Sequence, residues 1–308
     1  MAAGFELWEK PVSEEINMII GWRQWADAGS VSSGLPRYLV ERTGARQIGA
    51  LNQGGYYLFQ VPGTHDLVRP VVKFTEGYPQ SLEAQRNELY YSGNQSRGVV
   101  FFLGDEPHLD AERYVSSLLD VAQELNVRRI IGLGGVYGVL PYDKERLVSC
   151  VYSLPHMKDA VGSLAVSLSD YEGGASIGSY VCRRAGDRGM EYFGLYAFVP
   201  MYTLAQFGQE GGTIQIENDF WAWLGITRRI NYMFKLNLDL GDLENKSREL
   251  VELMRARVDE LDRQEPELGL NESLQRLSDE FQEVQFNPLE DVWEEELRRL
   301  FDRLDPEE

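Results

Sequence analysis

The chain has 308 residues, and 30 Lys and Arg against 49 Asp and Glu give a formal net charge of −19. With 43% hydrophobic and 11% aromatic residues it can build a sizeable core, which excludes a largely disordered chain. The acidic balance argues against nucleic acid and anionic membrane as partners, no run approaches the ~18 apolar residues of a membrane span, and the first residues carry no secretory pattern, so a soluble, cytoplasmic α/β protein is expected.

The pattern alternates strands and helices. Residues 17–21 form an apolar run closed by Gly21 and read as a buried strand. A turn over 22–29 follows, then a helix that starts near Gly34 or Leu35, beside Pro36, and stops at Gly44. Strands are expected at 46–51, 56–61 and 71–74, and a strong buried one at 98–103. Asp110 is placed to cap a helix that aligns Tyr114, Leu118, Val121, Ala122 and Leu125, and 128–133 is the next strand. Strand, helix, strand at this spacing predicts a parallel sheet, whose ligands sit beyond the carboxyl ends of the strands. Three turns fall there: 21–29, 104–110 and 132–141. Residues 211–224 read as a capped helix whose Phe220, Trp223 and Leu224 belong to a core or a subunit interface.

Composition shifts near Leu240. Residues 241–308 hold 22 acids and 9 bases, net −13, whereas 1–240 carry net −6. The chain therefore divides into an α/β domain, 1–240, and an acidic helical extension, 241–308. The first tail helix is expected to be capped by Asp242, to align Leu243, Leu250, Met254, Val258 and Leu261, and to end at Glu265-Pro266. A second, capped by Asn271, carries Leu274, Leu277 and Phe281; a third carries Val292, Leu297, Leu300, Phe301 and Leu304. Each apolar stripe must be buried on the body, on another helix or on another subunit, and packing within the chain is favoured.

Chemistry is sparse. In Trp22-Arg23-Gln24-Trp25-Ala26-Asp27-Ala28-Gly29, Asp27 could act as a base, but its stronger reading is a cap on amides ahead of the helix, with Gly29 supplying an unusual backbone shape. Glu106 and His108 could move protons, yet no nucleophile stands beside them, and a polar loop is the leading reading. Gly132-Leu133-Gly134-Gly135-Val136-Tyr137-Gly138 fails both the dinucleotide pattern and the P-loop pattern. Close backbone packing is favoured there over an open anion pocket. His65, His108 and His156 lack metal-ligand spacing, Cys150 and Cys182 read as packed, and no Gly-x-Ser-x-Gly elbow occurs, so no metal and no cofactor are expected.

Taken together, the landmarks resemble the PAC2 family, named for the proteasome assembly chaperones. They are Gly21-Trp22 with Asp27-Ala28-Gly29, a strand into Gly104-Asp105-Glu106-Pro107, Leu133-Gly134-Gly135 with Pro141, then Tyr171-Glu172-Gly173, Gly194-Leu195 and Val199-Pro200-Met201-Tyr202. The resemblance implies a three-layer α/β sandwich with a phosphorylase/hydrolase-like core and a C-terminal α-helical extension. It also implies a homo-oligomer, a trimer being favoured, with an unknown protein partner and no established catalysis. Trp22, Asp27, Gly29, Glu106, Gly134, Gly135 and Pro141 thereby become candidate ligand or interface residues. Two departures matter. Pro141-Tyr142-Asp143-Lys144 replaces the family's frequent Pro-His-Thr-Arg-Pro, and Leu304-Asp305-Pro306-Glu307-Glu308 replaces the hydrophobic-Tyr-any tail of proteasome-docking members. The expected function is a non-enzymatic, self-associating assembly chaperone or scaffold. The alternative is a hydrolase or phosphorylase acting on a nucleoside-like substrate through Asp27 and Glu106.

Overall fold

The computed structural model describes residues 4–52, 54–60, 69–203, 205, 212–284 and 286. Its centre is set by two strands that are apolar on both faces. β2 (Glu15–Arg23) and β7 (Arg97–Asp105) pair in parallel, with Ile19 opposite Phe101 and Arg23 opposite Asp105. Side chains alternate along a strand. Ile19, Phe101 and Leu103 therefore join one core cluster, while Met18, Ile20, Val100 and Phe102 join another. Strands of this kind need cover on both faces. α1 (Gly34–Thr43) and α5 (Phe220–Phe234) supply it on the first face through Leu35, Leu39, Trp223, Ile226 and Ile230. α2 (Ala111–Glu124) and α4 (Ile177–Asp187) supply it on the second through Tyr114, Leu118, Val121, Val181 and Ala185. The result is a three-layer α/β sandwich.

β8 (Val127–Gly138) and β11 (Glu191–Thr203) extend the parallel centre to the order β7-β2-β8-β11. On one side the antiparallel strands β6 (Asn87–Gly93), β3 (Arg46–Leu51) and β1 (Phe5–Leu7) continue the sheet. On the other, β9 (Val148–Tyr152) runs antiparallel to β11, β10 (Ser167–Leu168) lies beyond it, and α3 (Lys158–Gly162) connects the two. β12 (Thr213–Gln215) pairs with the far end of β11. The turns after β2, β7 and β8 leave the same sheet edge. β4 (Val71–Thr75) and β5 (Tyr78–Glu83) form a separate two-stranded hairpin, exposed throughout.

Several expectations are corrected. Residues 56–60 leave a turn over 54–56 as irregular chain instead of a strand: the Tyr56 carbonyl accepts the His108 and Leu109 amides at 2.9 and 3.0 Å, and its ring packs edge-on against Tyr114. Val61 lies outside the described residues. Residues 132–138 are strand, not turn, and the chain leaves the sheet only after Gly138. Residues 213–215 are strand as well, because Ile214 and Ile216 alternate into the core; the helix begins at Phe220, and Gly211 lies outside the described residues. Asp110 adopts a left-handed backbone, φ 53°, and its carboxylate pairs with Arg113 at 2.9 Å without capping α2.

The tail helices α6 (Gly241–Gln264) and α7 (Leu270–Glu280) bury Leu243, Leu250, Met254, Val258, Leu270 and Leu274 in the cluster beneath α1 and α5. Their stripes are thus covered within the chain. Leu240 and Gly269 take the capping positions expected for Asp242 and Asn271, and Asp242 instead accepts from the Tyr38 hydroxyl and Lys246 Nζ, both at 2.9 Å. The third predicted tail helix, with Val292, Leu297, Leu300, Phe301 and Leu304, lies outside the described residues. No helix among the described residues is long and apolar enough to cross a membrane.

Candidate functional site

The carboxyl edge of the parallel strands gathers the candidate residues. β2 ends in Arg23, which is locked to β7 because Asp105 stands opposite it: Arg23 Nε reaches Asp105 Oδ1 at 2.6 Å and Nη2 reaches Oδ2 at 3.1 Å. The chain then turns sharply. Gln24 (φ 104°), Ala26 (55°), Gly29 (61°) and Ser30 (50°) all lie in the left-handed region, a costly arrangement for three non-glycine residues.

Asp27 holds that turn. Its Oδ1 accepts the Ser32 and Ser33 amides, each at 2.9 Å, just ahead of α1. Burial raises the Asp27 pKa, opposed by the Ser33 hydroxyl and by these amides. The capping role expected for this carboxylate is therefore the one it plays. Gly29 has no room for a side chain: a Cβ there would stand 2.7 Å from the Asp219 Cβ and 3.0 Å from Val199. The Gly29 carbonyl accepts the Asp219 amide and Trp223 Nε1, both at 3.0 Å, which ties the turn to the start of α5. Trp22 points into the opposite core, donating from Nε1 to the Tyr114 hydroxyl at 2.9 Å.

Glu106 mirrors Asp27 on the second face. Its Oε1 accepts the Ile177 amide at 2.9 Å, at the start of α4, and burial raises its pKa against the Ile177 and Trp25 amides. The two carboxylates expected to form an acid–base pair are each committed to backbone donors at the starts of helices, α1 and α4, that cover opposite faces. His108 accepts the Leu58 amide on Nδ1 at 3.1 Å and stacks edge-on with Tyr57.

Gly134 and Gly135 are not an open cradle. A Cβ on Gly134 would meet the Tyr196 ring at 2.4 Å, and one on Gly135 would meet the Ala28 carbonyl at 2.0 Å. The Gly135 amide donates to the Ala26 carbonyl at 2.7 Å, and Asp27 bridges to Gly135, so the β2 turn is laid directly on β8. Pro141 is buried in the loop beyond and hands its carbonyl to Arg146 Nη1 at 3.2 Å.

Arg146 and Asp219 are the residues that sequence reading missed. They form a fully buried ion pair, Nε to Oδ2 at 2.7 Å, while Asp219 Oδ1 caps α5 on the Trp221 and Ala222 amides at 3.1 Å. Arg146 Nη1 also donates to the Tyr142 and Lys144 carbonyls, at 3.1 and 2.7 Å. An aspartate before an aromatic helix start is a legible cap signal; the arginine 73 residues away gave none. Burial pushes the Cys150 thiol up to about 12 and the Cys182 thiol to about 11, the behaviour of packed rather than reactive cysteines. No cluster of three or more His, Cys, Asp or Glu among the described residues is placed to hold a metal ion.

This architecture is shared. A PAC2 family protein of Streptomyces avermitilis is similar over 80% of this chain and 97% of its own, with 23% identity and a TM-score of 0.67. A Mycobacterium tuberculosis proteasome-assembly chaperone homologue matches over 78% and 94%, with 20% identity and a TM-score of 0.67. Another M. tuberculosis protein, of unknown function, matches over 97% and 93%, with 18% identity and a TM-score of 0.70, an overlap that takes in the tail helices. No curated protein matches the chain. Those identities establish the fold. The PAC2 family profile goes further and matches residues 22–258, from Trp22 near the end of β2 to the last buried turn of α6: the chain belongs to the PAC2 family.

Proposed function

We propose that the protein is a non-enzymatic PAC2-type module that self-associates and serves as an assembly chaperone or scaffold for a protein partner. The observation that carries this reading is the β4–β5 hairpin. Thr75 and Tyr78 close a two-residue Glu76-Gly77 turn with φ of 50° and 81°, a geometry matched to the twist of a hairpin. Pairing sets Val72 opposite Leu82 and Phe74 opposite Pro79. Yet nothing among the described residues covers these groups. Val71, Phe74, Tyr78 and Leu82 are between 58% and 69% exposed. A two-stranded ribbon is marginal in water by itself, and a contiguous exposed apolar patch marks an interaction surface. A second copy of the chain is the occupant present at equal concentration, and a head-to-tail contact repeated around an axis closes into a ring. The PAC2 resemblance favours three copies.

The chaperone-like part of the reading draws on family membership and on the likeness to the mycobacterial proteasome-assembly chaperone homologue. The enzymatic alternative, with Asp27 and Glu106 as acid and base, is less well supported. Each carboxylate already accepts backbone amides, and the helices that begin at those amides lie on opposite faces of the sheet.

Sedimentation equilibrium of the wild type and of a Phe74→Ser, Leu82→Ser variant tests the proposal. The wild type is expected as an oligomer and the variant as a monomer with an unchanged circular dichroism spectrum. A strictly monomeric wild type at tens of micromolar overturns it.

A further inference from the structure

The β4–β5 hairpin hangs from the body by two roots, and both are fastened to one place, the exit of β7. At the first root the Tyr57 hydroxyl shares its proton between Asn87 Oδ1 at 2.9 Å and the Asp105 carbonyl at 2.8 Å, and the Leu58 amide donates to His108 Nδ1 at 3.1 Å. The Tyr56 carbonyl in turn accepts the His108 and Leu109 amides, so residues 56–58 and 108–109 are laced together in both directions. At the second root the Arg86 amide donates to Asp105 Oδ2 at 2.8 Å, the Asp105 amide donates to the Arg86 carbonyl at 2.9 Å, and Asn87 pairs with Gly104. The buried Asn87 side chain joins the two roots, and it also accepts the Tyr114 hydroxyl of α2 at 2.9 Å. These bonds set the attitude of the hairpin to the sandwich.

One of them has an acceptor that a single proton removes near neutral pH. Backbone carbonyls and the Asn87 amide do not titrate there, burial pushes the Tyr57 hydroxyl up so that it stays a donor, and Asp105 is held through both oxygens by Arg23. A histidine Nδ1 accepts a hydrogen bond only while the ring is neutral, because both nitrogens of the imidazolium carry hydrogens. Protonation of the half-buried His108 therefore sets N–H against the Leu58 N–H and leaves that amide without its acceptor. The titratable groups around this root are engaged. Tyr57 stands edge-on to the imidazole at 5.6 Å, and Arg113 of α2 lies over the Tyr56 ring at 4.9 Å while pairing with Asp110 at 2.9 Å. Glu112 pairs with Arg184 at 2.9 Å, and Glu106, on the same loop as His108, accepts the Ile177 amide. None of these carboxylates is left over to hold the imidazolium in place.

We propose that His108 is a proton-operated latch on the hairpin: neutral, it holds the Leu58 root and presents the ribbon to the next copy of the chain; protonated, it releases that root and weakens the assembly. This inference rests on the self-association reading above. Its sign is opposite to that of the background. Acidification lowers the net charge of −19, and with it the repulsion between copies, which by itself favours association.

Sedimentation equilibrium of the full chain at about pH 7.5 and about pH 5.5, near the two ends of the range in which histidine changes charge, tests it. The wild type is expected to associate about tenfold more weakly at the lower pH, the loss of one hydrogen bond with its amide left unmet. In His108→Asn the side-chain oxygen stands where Nδ1 stood and accepts the Leu58 amide at every pH, so this variant is expected to associate equally well or more tightly on acidification. His108→Ala, which has no acceptor, is expected to be weak at both values. Circular dichroism spectra of wild type and His108→Asn should match at both values. A wild type that is oligomeric with the same or tighter association at the lower pH, a His108→Asn variant that weakens as wild type does, or loss of the fold on acidification overturns the latch alone. A wild type that is monomeric at both values overturns the self-association reading and the latch with it.

Discussion

Gly29 and Gly44 share a left-handed backbone, with φ of 61° and 58°, but only Gly29 is hemmed in; a Cβ on Gly44 would meet nothing within 4 Å. The comparison separates backbone strain from overpacking. Gly44→Ala should cost about 1–2 kcal/mol, the strain alone, whereas Gly29→Ala should cost about 1–3 kcal/mol more through the clash with Asp219 and Val199. Urea denaturation of both variants measures the difference, and equal losses would show that the turn after β2 is free to shift. A second residue-scale expectation concerns pH. Burial raises the Glu145 pKa, its Oε1 has no hydrogen-bond partner, and Arg228 is 3.8 Å away. A carboxyl whose pKa is higher folded than unfolded binds protons more tightly in the folded state. Stability is therefore greatest below the ordinary carboxylate value and falls as pH rises through the folded value. Asp27 and Glu106 act with the same sign. Glu145→Gln should flatten this fall in a series of urea midpoints between about pH 4 and 7; an unchanged slope would contradict it. At this scale Asp27 was legible as a cap, because its donors lie five and six residues on. Arg146 was not, because its partner Asp219 is distant in sequence and its other hydrogen bonds go to carbonyls, which any residue supplies.

Strands and helices were legible where one periodicity held. The run 98–103 is apolar at every position but one, and α2 aligns Tyr114, Leu118, Val121 and Ala122 on one face, so both elements stand where the pattern puts them. The second half of β8 was misread as a turn for a definite reason, whereas its first half stands where the strand over 128–133 was expected. Glycine usually signals chain reversal, but in β8 it makes room: a Cβ on Gly132 would stand 1.8 Å from the Tyr192 hydroxyl, and Gly134 accommodates the Tyr196 ring. Those tyrosines lie on the neighbouring β11, about 60 residues away, so local sequence does not reveal them. The tail is the opposite case, since the stripe of α6 predicted its burial. Leu243 is fully buried beneath the α1/α5 layer, and Leu243→Ala should cost about 2–5 kcal/mol by chemical denaturation. A loss under 1 kcal/mol would mean that α6 only rests on the body.

At the scale of the whole molecule, two clusters divided by one sheet bury nearly all of the large apolar side chains of the strands and helices that form the sandwich. The hairpin stands outside this arrangement. Its strand over 71–74 could be read from Val71-Val72-Lys73-Phe74, but its separation from the main sheet could not, because exposure depends on what the rest of the chain fails to cover. Burial of this ribbon against neighbouring copies is the central claim, and hydrogen–deuterium exchange across residues 69–86 reads it most directly. At high protein concentration the β4 and β5 amides should exchange slowly, and on dilution below the association constant they should exchange within seconds while β2 and β7 stay protected. Fast exchange of the hairpin at every concentration would contradict the claim.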